Sequence, residues 1–325
     1  MRLLRPVLLT LGVGLLVALV VRNDPAAVLA SLGRLSWRFV VILLFPVSLV
    51  SLFDALGWRY AFRRDRVPFV TLVRTRLVGE AFNLVTPTAA LGGEVVKAWL
   101  LRDRVPLAQS VPSVIIAKTT ITLAQGIFLL LGIVLATFQL GRSPLLLGMQ
   151  WLLGLEVLAL AIFIVVQGRG MVGWSARLLA RLGLPQVGAG TTAAQVDRAL
   201  RDFYLRAPGR LALSIAFHLV AWLLGAVEAY LILAFLGIPV SLATATVIEA
   251  FGTGIRFATF LVPASIGVQE GGFVVTFVAL GLNAADGVTF GLVRRLRELV
   301  WIAFGLALFA RERREPVVAP PSTVD

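Results

Sequence analysis

Apolar runs long enough to cross a bilayer recur from one end of this chain to the other, and no polar stretch of domain size separates them. A spanning helix needs about 20 mostly apolar residues. Ordinary soluble domains are about 45–50% apolar and about 25% charged. This chain of 325 residues is 59% hydrophobic and 14% charged, with a mean hydropathy of +0.94. It reads as an all-α polytopic membrane protein in which residues 1–314 form a single integral membrane domain. The tail, residues 315–325, holds Pro316, Pro320 and Pro321 with few large apolar side chains, and is expected to be disordered.

About six spanning helices are expected: Pro6 to Val21, Phe39 to Gly57, Pro112 to Phe138, Leu145 to Val166, Leu211 to Leu236, and Thr289 to Ala310. Arg2 and Arg5 precede the first run as in a signal peptide. Val20-Val21-Arg22-Asn23 offers no small-residue cleavage site, so an uncleaved anchor is expected. Residues 168–210 form the longest loop. There Trp174, Leu178 and Leu182, then Val196, Leu200, Phe203 and Tyr204, recur at helical spacing opposite arginines. The loop reads as a cytoplasmic amphipathic connector lying in the headgroup plane.

Two further apolar stretches are interrupted in the middle. The first carries Glu80-Ala81-Phe82, Pro87, Gly92, Gly93 and Glu94; the second carries Glu249-Ala250-Phe251, Pro263, Gly267 and Glu270. In both, the Pro stands seven residues before the Glu. Irregular backbone at membrane depth is tolerated only beside protein or a water-filled cavity. Broken, charged helices at matching places in two halves mark transport sites in inverted-repeat transporters. The expected arrangement is a pair of oppositely inserted re-entrant hairpins, inverted-repeat-like; a pair of kinked spans in each place is the alternative.

The net charge of +13, with a pI near 11.5, belongs to arginine clusters between the apolar runs. Arg59, Arg63, Arg64 and Arg66 form one cluster, and Arg102 and Arg104 a second; the long loop and Arg311, Arg313 and Arg314 supply the others. By the positive-inside rule all four lie in the cytoplasm, with both termini. Arg22, Arg34 and Arg38 are the exceptions. There is no nucleic-acid motif, so no nucleic-acid partner is expected. With no cysteine and one histidine, no metal site and no cofactor is expected. His218, alone in an apolar run, reads as packed and hydrogen-bonded.

Charged residues at membrane depth cost about 2.5–3.5 kcal/mol on insertion scales, so they are expected to pair or to line a path. They include Lys118, Glu156, Glu228, Glu249, Arg256, Glu270, Arg294, Arg295, Arg297 and Glu298. Arg294 and Glu298, four apart, are expected to neutralise each other. In Gly92-Gly93-Glu94-Val95-Val96-Lys97, a helix start with a lysine one turn in suits phosphate. Glu94 complementing the dipole and pairing with Lys97 is the simpler reading.

The segment Asn83-Leu84-Val85-Thr86-Pro87 with Gly92-Gly93-Glu94-Val95-Val96-Lys97-Ala98 resembles an Asn…Pro…Gly-Asp-x-x-Arg-Ala pattern. That pattern belongs to the lysylphosphatidylglycerol synthase transmembrane region, or flippase-like domain, family. Pro263-Ala264-Ser265-Ile266-Gly267-Val268-Gln269-Glu270 is similar to the family's Pro-Gly-Gly-x-Gly-x-x-Glu, and Arg295-Leu296 to its Arg-Leu. Glu94 stands for Asp, Lys97 for Arg, Ala264-Ser265 for Gly-Gly, and Lys118 falls where Arg is usual. Lys does not copy a bidentate arginine grip on phosphate. Two segments are further similar to hopanoid-associated members.

The resemblance implies a bacterial inner-membrane protein that moves a phospholipid or lipid-linked intermediate. No counterpart of the soluble aminoacyl-transferase domain is present in this sequence, so lysyl-lipid synthesis is not expected. The expected partner is a membrane lipid, either an anionic phospholipid or a lipid-linked substrate. A second copy of the chain or lipid-synthesis enzymes are the protein partners considered. Residues and resemblance together nominate a substrate-binding set: Glu80, Asn83, Pro87, Gly92, Gly93, Glu94, Lys97, Lys118, Glu249, Arg256, Pro263, Gly267, Glu270, Arg294 and Arg295. Two other readings stay open. One is a non-catalytic partner in a lipid or envelope biosynthesis complex. The other is a lipid-phosphate transferase, which the lack of a dense acidic motif disfavours.

Overall fold

The computed structural model describes residues 37–312 apart from 65–66, 86–91, 172 and 174–188, together with a few positions before residue 37. Among the described residues there are ten α-helices and no strand. The first five are α1 (Arg38–Ala61), α2 (Phe69–Val85), α3 (Gly92–Leu100), α4 (Leu107–Leu140) and α5 (Pro144–Gly168). The others are α6 (Ala189–Arg206), α7 (Pro208–Phe235), α8 (Leu242–Ala258), α9 (Val268–Ala279) and α10 (Ala284–Glu312). Serines start two of them. The Ser143 and Ser241 hydroxyls accept from the amides of Leu146 and Thr244, three residues on, as N-caps do.

Four helices, α1, α4, α5 and α7, are long and apolar enough to cross a membrane, and they match four of the expected spans. The span expected at Thr289–Ala310 lies within α10, whose 29 residues extend about 43 Å at 1.5 Å per residue. Four charges in its middle, Arg294, Arg295, Arg297 and Glu298, set it apart from the apolar four. The run Pro6 to Val21 falls almost wholly outside the described residues. So do Pro87, the Trp174–Leu182 helix and the tail.

Both interrupted stretches are helix pairs that fold back on themselves. Gly79 faces Lys97 and Asn83 faces Gly93 in the first; Gly252 faces Phe273 and Arg256 faces Gln269 in the second. With 9 and 12 residues, α3 and α9 reach only about 14 and 18 Å. That is shorter than the ~30 Å hydrocarbon core.

The sequence repeat is also a packing repeat. α1 and α7 pack on each other, α2 packs on α10, and α8 packs on α4. Exchanging α1–α4 for α7–α10 therefore maps these contacts onto themselves. The correspondence holds at single residues. A Cβ built on Gly305 of α10 would lie 2.8 Å from the Ala81 Cβ, and one built on Gly132 of α4 would overlap the Ala250 Cβ. Ala81 and Ala250 are the middle residues of the two Glu-Ala-Phe triplets.

The described members of the arginine clusters gather at one end of the bundle. Arg210 donates to the Arg59 carbonyl at 3.0 Å, Arg63 lies 3.8 Å from Asp202, and Arg102 stacks on Trp99, itself beside Phe309 near the end of α10. At this end α6 departs from expectation. Its apolar residues Val196, Leu200 and Phe203 are buried against Trp58, Phe62, Leu101 and Val105, so protein covers that face rather than lipid. Farther along, Leu130, Val134, Trp151, Leu155, Leu158 and Ile162 point outward as an apolar belt on α4 and α5.

Candidate functional site

The first helix pair builds a polar site from its close backbone approach. A Cβ on Gly93 would overlap the Gly79 carbonyl oxygen, so α2 and α3 touch backbone to backbone at two glycines. This brings the Asn83 side chain to the start of α3. Its Oδ1 accepts from the Gly93 amide at 2.8 Å, and its Nδ2 donates to Glu94 at 3.1 Å. Lys97 donates to the same carboxylate at 3.0 Å. The helix start read as a phosphate cradle thus has the Gly93 amide and Glu94 committed within the pair.

Around this core α1, α2, α4 and α7 add charge. Asp54 pairs with Arg76 and meets His218 Nδ1 at 2.9 Å. His218 is buried and hydrogen-bonded, as expected. A cavity of about 60 Å³ is lined by Asp54, Trp58, Arg76, Glu80, Glu94, Lys97, Lys118 and His218. The side chains of two of these, Glu80 and Lys118, make neither a hydrogen bond nor an ion pair among the described residues. They share the cavity with opposite charges, Lys118 with Glu94 and Glu80 with Arg76.

The second pair is bound to α10 by side chains. Arg294 grips Glu249 of α8 through both terminal nitrogens, and Arg297 meets Glu228 of α7 at 2.5 Å. Arg295 meets Glu270 of α9 at 2.5 Å and Glu298 at 2.8 Å. Arg256 pairs with Glu298 and donates to Gln269 at 2.9 Å. The other Glu270 oxygen accepts from the Gly267 amide at 2.7 Å, fixing the start of α9. Pro263 opens the turn before it. The pairing expected between Arg294 and Glu298 is not formed. The two residues instead reach different partners, Glu249 for one and Arg256 and Arg295 for the other.

The nominated residues therefore collect in two neighbouring clusters rather than one cavity. Glu80, Asn83, Gly93, Glu94, Lys97 and Lys118 belong to the first; Glu249, Arg256, Gly267, Glu270, Arg294 and Arg295 to the second. α2 also touches the turn at Pro263–Ser265, so the clusters adjoin. Gly92 opens α3, while Pro87 lies outside the described residues. Sequence reasoning missed Asp54, Trp58, His218 as a partner of Asp54, and Gln269. A lone acid inside an apolar run was the available signal for Asp54. Among the described residues no group of three or more His, Cys, Asp or Glu side chains is placed to hold a metal.

A second, larger cavity of about 400 Å³ opens at the arginine-rich end, lined by Phe62, Arg63, Arg64, Gln109, Ser113, Arg198 and Asp202 among others. Trp58 faces the small cavity and Ser113 the large one, and Trp58 Nε1 donates to Ser113 Oγ at 3.2 Å. One hydrogen-bonded contact between α1 and α4 thus stands between them.

A family model for the lysylphosphatidylglycerol synthase TM region matches residues 6–306. No curated protein and no solved structure matches the chain.

Proposed function

This chain belongs to the lysylphosphatidylglycerol synthase TM-region family of lipid-related membrane proteins, and on that premise we propose that it moves a lipid headgroup through the bundle. The observation that carries the reading is the small cavity, where Lys118 and Glu80, both half-buried and with no side-chain partner among the described residues, line the same space. A half-buried charge without a partner at membrane depth is unfavourable, and one of each sign suits a headgroup carrying phosphate and ammonium. Lys118 takes the phosphate and Glu80 the cation, while the acyl chains stay in lipid.

The arginine-rich end is the cytoplasmic one by the positive-inside rule, with both termini on that side. The two broken helix pairs enter the membrane as re-entrant hairpins. The 400 Å³ cavity is the cytoplasmic vestibule, and the Trp58–Ser113 contact is the gate. At about 60 Å³ the inner cavity has room for about two waters and not for a headgroup, so this is a closed state. Phospholipids, lipid-linked sugars and hopanoid-type lipids are the substrates to test. The small size of that cavity favours the second reading, a non-catalytic partner of lipid-synthesis enzymes.

Purified protein in liposomes separates these readings. Wild type should carry labelled phospholipid across the bilayer. Lys118→Gln should slow that movement at least tenfold while thermal unfolding is unchanged. Normal movement by the variant overturns the site. Chemical turnover of the lipid supports a transferase, and no movement by wild type supports the partner role.

A further inference from the structure

Glu156 lies within α5, the least buried of the four apolar helices. Its neighbours Leu155 and Val157 are about half exposed, yet Glu156 is 1% exposed. The side chain turns inward against α4, where a Cβ built on Gly126 would stand 3.9 Å from its carboxyl carbon. Neither carboxyl oxygen has a hydrogen-bond partner. The other buried carboxylates among the described residues are all tied to cations: Asp54 to Arg76, Glu228 to Arg297, Glu249 to Arg294, Glu270 to Arg295, and Glu298 to Arg256 and Arg295.

The helices packed on α5 are α4, α6, α8 and α9. Their charged groups lie elsewhere. Lys118 of α4 lines the small cavity; Glu249 and Arg256 of α8 and Glu270 of α9 sit in the α10 network. On α6, Asp197 takes the Gly173 amide, Arg201 donates to the Gly168 carbonyl, and Arg198, Asp202 and Arg206 belong to the basic end. Among the described residues none of these charges pairs with Glu156.

An ionised carboxylate in such a place is strongly disfavoured, and the neutral acid is the form that fits. Release of its proton requires water to reach it, which requires α4 and α5 to part. α4 also carries Lys118, so movement of that helix bears on both sites. We propose that Glu156 is a proton-binding site that couples lipid movement to a proton gradient. This rests on the lipid-moving reading. The step is a simple ionisation: the carboxyl O–H bond breaks, its electron pair stays on oxygen, and the proton passes to water.

Proteoliposomes with a pH gradient of one unit test the coupling. With one proton per lipid, wild type should hold a labelled phospholipid at a ratio approaching about tenfold across the bilayer. Glu156→Gln should still equilibrate the lipid but hold the ratio near one. Infrared difference spectra of the same protein give a readout independent of transport. A protonated-carboxyl band should change with pH in wild type and be lost in Glu156→Gln, and equally in Glu156→Leu should the amide variant not fold. If the band behaves so but wild type moves no lipid, the proton site stands and the lipid-moving reading falls. A band unchanged by the substitution, or a variant that holds the gradient-driven ratio as wild type does, overturns the proposal.

Discussion

The two broken helix pairs share a Pro-to-Glu spacing and a Glu-Ala-Phe triplet, yet their charges are neutralised in opposite ways. Glu94 finds its cation on its own helix, Lys97 at 3.0 Å. Glu270 finds Arg295 on α10, 25 residues away. Among the described residues the first pair has one ion pair to a helix outside it, Arg76 with Asp54 of α1. The second has three to α10: Glu249 with Arg294, Glu270 with Arg295, and Arg256 with Glu298. A helix pair tied to its surroundings by one ion pair has fewer charges to unpair when it shifts than one tied by three. The first pair is therefore the element suited to move, and the second the frame it moves against.

The largest effect should come from breaking that frame. Arg294→Ala leaves Glu249 buried and unpaired, and should cost about 3–5 kcal/mol in unfolding measured in detergent. Lys97→Met leaves Glu94 its Asn83 amide and should cost clearly less. Equal losses from the two variants would erase the contrast. Next comes the glycine contact. Gly93→Ala drives a methyl into the Gly79 carbonyl and should cost about 1–3 kcal/mol. A neutral result would mean that α2 and α3 are not held backbone to backbone.

A third comparison separates function from frame. Lys118→Gln should lower lipid movement by at least tenfold, about 1.4 kcal/mol in barrier, with stability intact. Arg295→Gln should lower movement and stability together, because Glu270 and Glu298 both lose a partner. If Arg295→Gln keeps its unfolding temperature and loses movement alone, the second pair is part of the substrate path after all.

What the sequence disclosed follows from the range of each interaction. Four of the apolar spans and the two interrupted stretches were legible because run length, Pro and Gly act locally. Lys97 with Glu94 was legible because the partners are three residues apart. Arg294 was misassigned because an i,i+4 partner looked sufficient, while the true partner Glu249 lies 45 residues away on α8. Asp54 was overlooked because one acid hardly alters an apolar window, and its partners Arg76 and His218 lie on two other helices. The amphipathic face of α6 was legible, but not what covers it, since lipid and protein offer it the same apolar surface.

The smallest effect concerns the turn between α8 and α9, where the family resemblance has Gly-Gly and this chain has Ala264-Ser265. Both residues are left-handed, with φ of 49° and 50°. That conformation costs an L-residue about 1–2 kcal/mol, because Cβ crowds the following carbonyl. Glycine removes the crowding but adds freedom to the unfolded chain, which offsets about 0.4–1 kcal/mol. Ala264→Gly should therefore stabilise by about 0.5–1 kcal/mol. Ser265→Gly should gain nothing, since Ser265 Oγ accepts from Thr259 Oγ1 at 2.9 Å and that bond is lost. The order of the two variants is the test. A less stable Ala264→Gly would mean that the turn is not left-handed at this position.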